Sequence, residues 1–208
     1  MHIRIKICGI TRPDDGAVAA RLGADAIGLV FYPASPRAVT VVQAQAVVAA
    51  MPPLLTVVGL FVDPEPAFVE EVLGRVPLGL LQFHGDERPE QCRRYQRPYL
   101  KAIRMRDGLD LQRVMRDFGD AAGVLLDSYQ PGIPGGTGNR FDWERIPHER
   151  AKPIVLAGGL TPENIEEAIR QVRPDAVDVS GGVEAAKGIK DPAKLAAFIR
   201  GVRNAECR

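Results

Sequence analysis

A single (β/α)₈ barrel is the fold class this 208-residue chain predicts, and three observations predict it. Eight short β-branched or Leu-rich runs recur along the chain, helical stretches separate most of them, and the length suits one barrel. The first run, "IRIKIC" (3–8), alternates Ile3, Ile5 and Ile7 with Arg4, Lys6 and Cys8, the two-residue period of a strand. The others are "AIGLVF" (26–31), "LTVVGLFV" (55–62), "GLLQFHG" (79–85), "YLKAIRM" (99–105), "GVLLDS" (123–128), "PIVLAGG" (153–159) and "AVDVSGG" (176–182). Between them lie "PDDGAVAARLGA" (13–24), "VVQAQAVVAAM" (41–51), "PAFVEEVLGRV" (66–76), "PEQCRRY" (89–95), "LQRVMRDF" (111–118) and "PENIEEAIRQV" (162–172). Most carry apolar residues at helical spacing with Pro, Asp or Thr near their starts. Strict alternation implies parallel strands joined by right-handed crossovers. Eight units most simply close into a barrel, although an open doubly wound sheet has the same local signature. "FDWERIPHER" (141–150) has room for a single turn, and one domain is expected over 1–208.

Composition narrows the function classes. Hydrophobic residues make up 46% and charged residues 25%, with a net charge of +1, so no basic face for nucleic acid is expected. No apolar run approaches a membrane span, and no signal-peptide pattern opens the chain, which makes the cytoplasm the expected location. Cys8, Cys92 and Cys207 are odd in number and match no zinc spacing. Free thiols and no metal site are the expectation.

Catalytic groups in such barrels sit at the C-terminal ends of strands. The residues there are Cys8, Gln82, His84, Asp127, Asp178 and Ser180. Cys8, Asp127 and Asp178 alternate with apolar neighbours that must face the helices, so all three should point into the mouth of the barrel. Lys6 shares the face of Cys8, and Lys6 and Lys101 are read as inner-barrel cations that could neutralise carboxylates. Each residue also has a bland reading: a lone Cys as a small hydrophobe, Asp127 as a loop cap, Asp178 as a strand tie, His84 as a loop histidine. Two Gly-Gly pairs in consecutive strand-to-helix loops, with "PGGTGNRFDW" (134–143) after the sixth strand, suggest backbone amides converging on a phosphate. Gly158, Gly159, Gly181 and Gly182, with Ser180, are the candidates.

"KICGIT", "DAIGLVFYPASPRAV", "VGLFV", "QFHGDE", "LLDS" before "GGTGNRFDW", "LAGGLTPENI" and "VDVSGGVE" before "KGIKD" occur in order from the first strand to the last helix. Together they resemble the phosphoribosylanthranilate isomerase family of tryptophan biosynthesis. The resemblance implies a (β/α)₈ fold and a cofactor-free Amadori rearrangement of N-(5-phosphoribosyl)anthranilate to the corresponding 1-deoxyribulose phosphate. It places the catalytic cysteine on Cys8, the catalytic aspartate on Asp127 and the substrate-carboxylate arginine on Arg37, with His84 and Asp178 as further substrate-binding candidates. The implied partner is a small phosphosugar, and the implied assembly a monomer or homodimer. Two positions depart from the family's habit: Gly181 stands where a serine is common, and Phe83 where a leucine is common. For base catalysis the Cys8 thiol would need a lowered pKa and for acid catalysis Asp127 a raised one, and Lys6 is the expected cation for the thiol. Other phosphosugar barrels, epimerases or a histidine-pathway isomerase, would share the glycine loops. A silent phosphate-binding barrel would share them too.

Overall fold

The computed structural model describes residues 2–128, 142–147 and 149–206. Eight parallel strands close in chain order: β1 (Arg4–Cys8), β2 (Ala26–Val30), β3 (Thr56–Phe61), β4 (Leu80–Phe83), β5 (Tyr99–Arg104), β6 (Gly123–Asp127), β7 (Ile154–Leu156) and β8 (Ala176–Val179). Closure is made by β1 against β8, with Ile5 opposite Val177 and Lys6 opposite Asp178. The closed sheet excludes the open alternative.

Helices α1 (Pro13–Leu22), α2 (Val41–Ala49), α3 (Pro66–Arg75), α4 (Pro89–Arg93), α5 (Leu111–Asp117), α6 (Ile165–Val172) and α7 (Pro192–Glu206) surround the barrel. Four of them begin on proline, whose fixed φ suits the first helical position and whose missing N–H is needed by no partner there. Thr40 caps α2 by a reciprocal bond pair with Gln43, and the Asp110 carboxylate caps α5 at the Arg113 amide. The segment from Pro162 turns before it becomes helical, because Asn164 bonds back to the Thr161 amide and the Gly159 carbonyl. Between β6 and β7 the described residues form one 3₁₀ turn, Trp143–Arg145, as the short spacing required. The stretch 129–141, which holds most of the third glycine-rich loop, and Cys207 lie outside the described residues.

Alternation sorts the two faces of each strand. Ile5, Ile7, Ile27, Phe61, Phe83, Val124, Leu126 and Val177 face the helices in one continuous core. Phe31, Phe61 and Phe83 pack in succession around that outer face, with ring centroids 5.3 Å and then 6.2 Å apart. Phe83 is therefore a packing residue, as its outward parity suggested. The lower barrel interior is filled by Leu100, Ala102, Leu125, Val155 and Ala157. Lys101 corrects the inner-barrel expectation. It shares the outward parity of Tyr99 and Ile103 and pairs with Glu87 at 2.7 Å beneath the helices, its ammonium 5.7 Å from the Phe118 ring centre. Arg104, on the inward parity of the same strand, reaches the mouth and donates to the His84 carbonyl at 2.9 Å.

One small sheet had no sequence signal. After β8 a 3₁₀ turn, Gly181–Val183, leads into an antiparallel pair, β9 (Glu184–Ala186) and β10 (Ile189–Lys190). Strands of three and two residues are too short to show a period, so "VEAAKGIKD" reads as a glycine loop.

Candidate active site

A cavity opens at the C-terminal ends of the strands, and every residue singled out above as catalytic, substrate-binding or phosphate-binding lines it: Cys8, Arg37, His84, Asp127, Gly158, Gly159, Asp178, Ser180, Gly181 and Gly182. Strand ends distant in sequence converge because closure brings β8 beside β1. Val30, Tyr32, Leu60 and Val62 add an apolar wall next to Cys8.

Cys8 is the last residue of β1, buried and free. Its neighbour Lys6 is nearly inaccessible and donates to the Asp178 carboxylate at 2.9 Å. Burial is the largest influence on the Cys8 thiol and leaves its pKa above the ordinary value, against the pull of Lys6 and Lys190 and with a further push from Asp178. The expectation of a lowered thiol pKa is thus corrected. Desolvation outweighs Lys6, whose charge is already shared with Asp178. Burial would lower the pKa of Lys6 itself, yet Asp178 and Cys8 hold it above the usual lysine value.

The space that Cys8 uses comes from Gly28, which sequence reading missed. A Cβ there would stand 2.8 Å from Cys8 Sγ and 3.0 Å from Lys6 Nζ. A glycine inside a β-strand pattern, facing the same interior as a cysteine, was the available signal.

Asp127 ends β6, and one carboxylate oxygen accepts the Ser128 amide at 2.8 Å, so the loop-cap reading holds for that oxygen. The other stands 3.2 Å from His84 Nε2, while Gln82 Nε2 lies 3.1 Å from His84 Nδ1. Nε2 makes no hydrogen bond among the described residues, so its approach to Asp127 is one of proximity, and His84 lines the cavity beside the carboxylate. Asp178 is both a strand tie, through Lys6 across the β1–β8 seam, and a cavity residue.

The glycines differ in what they accommodate. Gly158 adopts φ +80°, and a Cβ there would lie 2.9 Å from Asp127 Oδ1 and 2.6 Å from the Ser128 amide, so it permits close approach to the aspartate. Gly182 faces the Leu160 carbonyl across the two loops, with no room for any side chain. Gly181 is open except toward Arg37 Nη2, 3.2 Å from its ideal Cβ position. The Ser180 hydroxyl is buried without a hydrogen-bond partner among the described residues, beside the cavity.

Arg37 reaches the cavity from the loop after β2. Its Nε and Nη2 bind the two oxygens of Glu184 at 2.7 and 2.8 Å. Lys190 Nζ joins Glu184 Oε1 at 3.0 Å and the Ser180 carbonyl at 3.1 Å. Neither Glu184 nor Lys190 was anticipated, because both fall in the hairpin that the sequence did not reveal.

Residues 5–201 match the family model described as N-(5'-phosphoribosyl)anthranilate (PRA) isomerase. The chain is 59% identical over 202 residues to the N-(5'-phosphoribosyl)anthranilate isomerase of Nitrosococcus oceani, covering 97% of this chain and 98% of that one. The phosphoribosyl anthranilate isomerase of Thermotoga maritima superposes with a TM-score of 0.89 at 38% identity, over 98% of this chain and 100% of that one. A phosphoribosyl anthranilate isomerase solved in complex with reduced 1-(o-carboxyphenylamino)-1-deoxyribulose 5-phosphate superposes at 0.87 with 37% identity and the same coverage.

Proposed function

The chain belongs to the N-(5'-phosphoribosyl)anthranilate isomerase family and catalyses that family's aldose–ketose isomerisation, and we propose that Asp127 and Cys8 are its acid and base. The observation that carries the assignment is the shared cavity, in which a carboxyl group from β6 and a thiol from β1 face the same space.

The substrate carries an aryl nitrogen on C1 of a furanose. Asp127 gives a proton to the ring oxygen, the C1–O bond breaks, and the nitrogen lone pair forms a C1=N iminium. Cys8 then takes the C2 hydrogen as a proton, and that electron pair makes the C1=C2 bond of an enolamine while neutralising the nitrogen. Protonation at C1 and loss of the C2 hydroxyl proton give the ketone. Because burial favours the neutral thiol in the free protein, the order matters: the iminium cation, once formed against Cys8, favours the thiolate. Arg37 receives the anthranilate carboxylate, the wall of Val30, Tyr32, Leu60 and Val62 receives the ring, and His84 and Asp178 line the sugar. The phosphate is assigned to Gly158, Gly159, Ser180, Gly181 and Gly182. We also place the protein in the cytoplasm, where a catalytic thiol stays reduced.

The test is loss of anthranilate-type fluorescence with freshly generated phosphoribosylanthranilate. Asp127→Asn cannot donate a carboxylic proton and is expected to lower kcat by about 10²–10⁴ while retaining affinity for the reduced product analogue. Turnover at the wild-type rate would remove Asp127 from the acid role.

A further inference from the structure

Glu184 and Lys190 do not take part in the proton transfers, yet they form a buried charged pair behind Arg37 at the edge of the cavity. The Glu184 carboxylate accepts four bonds: from Arg37 Nε at 2.7 Å, Arg37 Nη2 at 2.8 Å, Lys190 Nζ at 3.0 Å and the Gly188 amide at 3.3 Å. The side chain of Lys190 is 0% exposed and that of Glu184 is 5% exposed. The hairpin that carries them is tied down independently, by Thr11 to the Gly188 carbonyl at 2.5 Å and by the Lys190 amide to Asp15 at 3.0 Å. The Arg37 stem is confined as well. A Cβ on Gly9, which adopts φ +71°, would lie 2.5 Å from Arg37 Cδ.

A guanidinium has two edges able to grip a carboxylate in bidentate fashion, Nε with one Nη and the two Nη together. Glu184 occupies the first. We propose that Glu184 is a positioning residue: by holding the Nε–Nη2 edge of Arg37 it turns the remaining Nη edge toward the cavity as the seat of the substrate carboxylate. This rests on the reading of Arg37 given above.

Counting charges explains Lys190. An isolated Arg–Glu pair is neutral and offers an incoming anion little, whereas Arg37, Glu184 and Lys190 together keep one positive charge in excess. Arg37 is the member of the three that borders the cavity. Losing the Glu184 charge would not strengthen the seat, since burial already pulls Lys190 below the usual lysine range and Glu184 is its main support. Removing that support weakens the hold of Lys190 on its proton, and Arg37 would lose its orientation with little added attraction.

Calorimetric titration with reduced 1-(o-carboxyphenylamino)-1-deoxyribulose 5-phosphate, and with its counterpart lacking the ring carboxylate, tests this. Glu184→Gln should weaken the carboxylated ligand by about tenfold and the other by less than about twofold. Glu184→Asp keeps the charge but is too short to reach both nitrogens, and should fall between wild type and Glu184→Gln. In kinetics, KM should rise more than kcat falls. In an Arg37→Ala background Glu184→Gln should add nothing further. Equal weakening of both ligands by Glu184→Gln or by Glu184→Asp, or an effect that survives in the Arg37→Ala background, would show a structural role alone and overturn the proposal. If Arg37→Ala does not discriminate between the ligands, the carboxylate reading of Arg37 itself fails and the proposal falls with it.

Discussion

Two lysine–carboxylate pairs, each beside a buried cysteine, lie on opposite faces of the same sheet. Inside the barrel Lys6 binds Asp178 at 2.9 Å next to Cys8; outside it Lys101 binds Glu87 at 2.7 Å next to Cys92. Both lysines are 5% exposed, and burial raises the pKa of both thiols. The inventories are nearly the same. What differs is access. Cys8 ends a strand and borders the cavity, whereas Cys92 sits in α4 with 0% exposure and packs into the helix-facing core. Chemistry is thus decided by which face of a strand a residue takes and how near the C-terminal end it falls.

The strongest way to break the comparison is to exchange the cysteines' roles. Cys8→Ala should lower kcat by about 10²–10⁴ and leave stability nearly unchanged. Cys92→Ala should do the reverse, keeping turnover while costing on the order of 1 kcal/mol for the lost core volume. Parallel assays and urea unfolding of the two proteins would decide it. Comparable activity losses would mean that the barrel does not separate the two thiols as described.

The ion pairs give a second contrast. Asp178→Asn and Glu87→Gln each strand a buried lysine, and each should cost about 3–5 kcal/mol. Only the first should move the pH profile of the reaction. Asp178 pushes the Cys8 thiol up and shares the charge of Lys6, so its loss lets the thiol pKa fall, and the acid limb of kcat/KM should shift to lower pH. In Glu87→Gln, Lys101 still donates to the Gly85 carbonyl at 2.6 Å and remains outside the barrel, so the limb should stay in place. Superimposable profiles for Asp178→Asn and wild type would separate Asp178 from the chemistry.

The same contrast shows what the sequence could reveal. The strand order and the inward direction of Cys8, Asp127 and Asp178 follow from a two-residue period, which is local and survives in a single chain. Lys101 could have been placed by that rule too, since it shares parity with Tyr99 and Ile103; it was misplaced because "YLKAIRM" is apolar on both faces and offers no polar side to count from. Arg104, on the opposite parity, was passed over for the same reason. The approach of His84 to Asp127 and the grip of Glu184 on Arg37 join residues 43 and 147 positions apart. Such contacts are fixed by barrel closure, not by neighbours in the chain. The sign of the Cys8 shift was missed because Lys6 is visible in "KIC" whereas the depth of burial and the competing Asp178 are not.

The smallest expected effect separates the second thiol from the solvent. Burial pushes the Cys92 pKa from 9.0 up to about 12, with Lys101 opposing and Glu87 adding to the push. In the unfolded chain the same thiol ionises near the lower value. Below that value both states hold the proton, and the stability tied to Cys92 is fully present. Between the two values the unfolded chain releases the proton while the folded protein keeps it, so stability falls as pH rises and the loss is complete once the folded thiol also titrates. By about pH 10.5 the loss from this group approaches roughly 2 kcal/mol. Urea unfolding at about pH 8 and about pH 10.5 should therefore show a steeper decline for wild type than for Cys92→Ala, which lacks the group. The Cys8 contribution is common to both proteins and cancels in the difference, and those of Tyr95 and Tyr99 cancel apart from the smaller push that Cys92 gives them. Equal declines would mean that the Cys92 thiol is reached by solvent, and that the outer lysine–carboxylate pair does not seal it as the inner face of α4 implies.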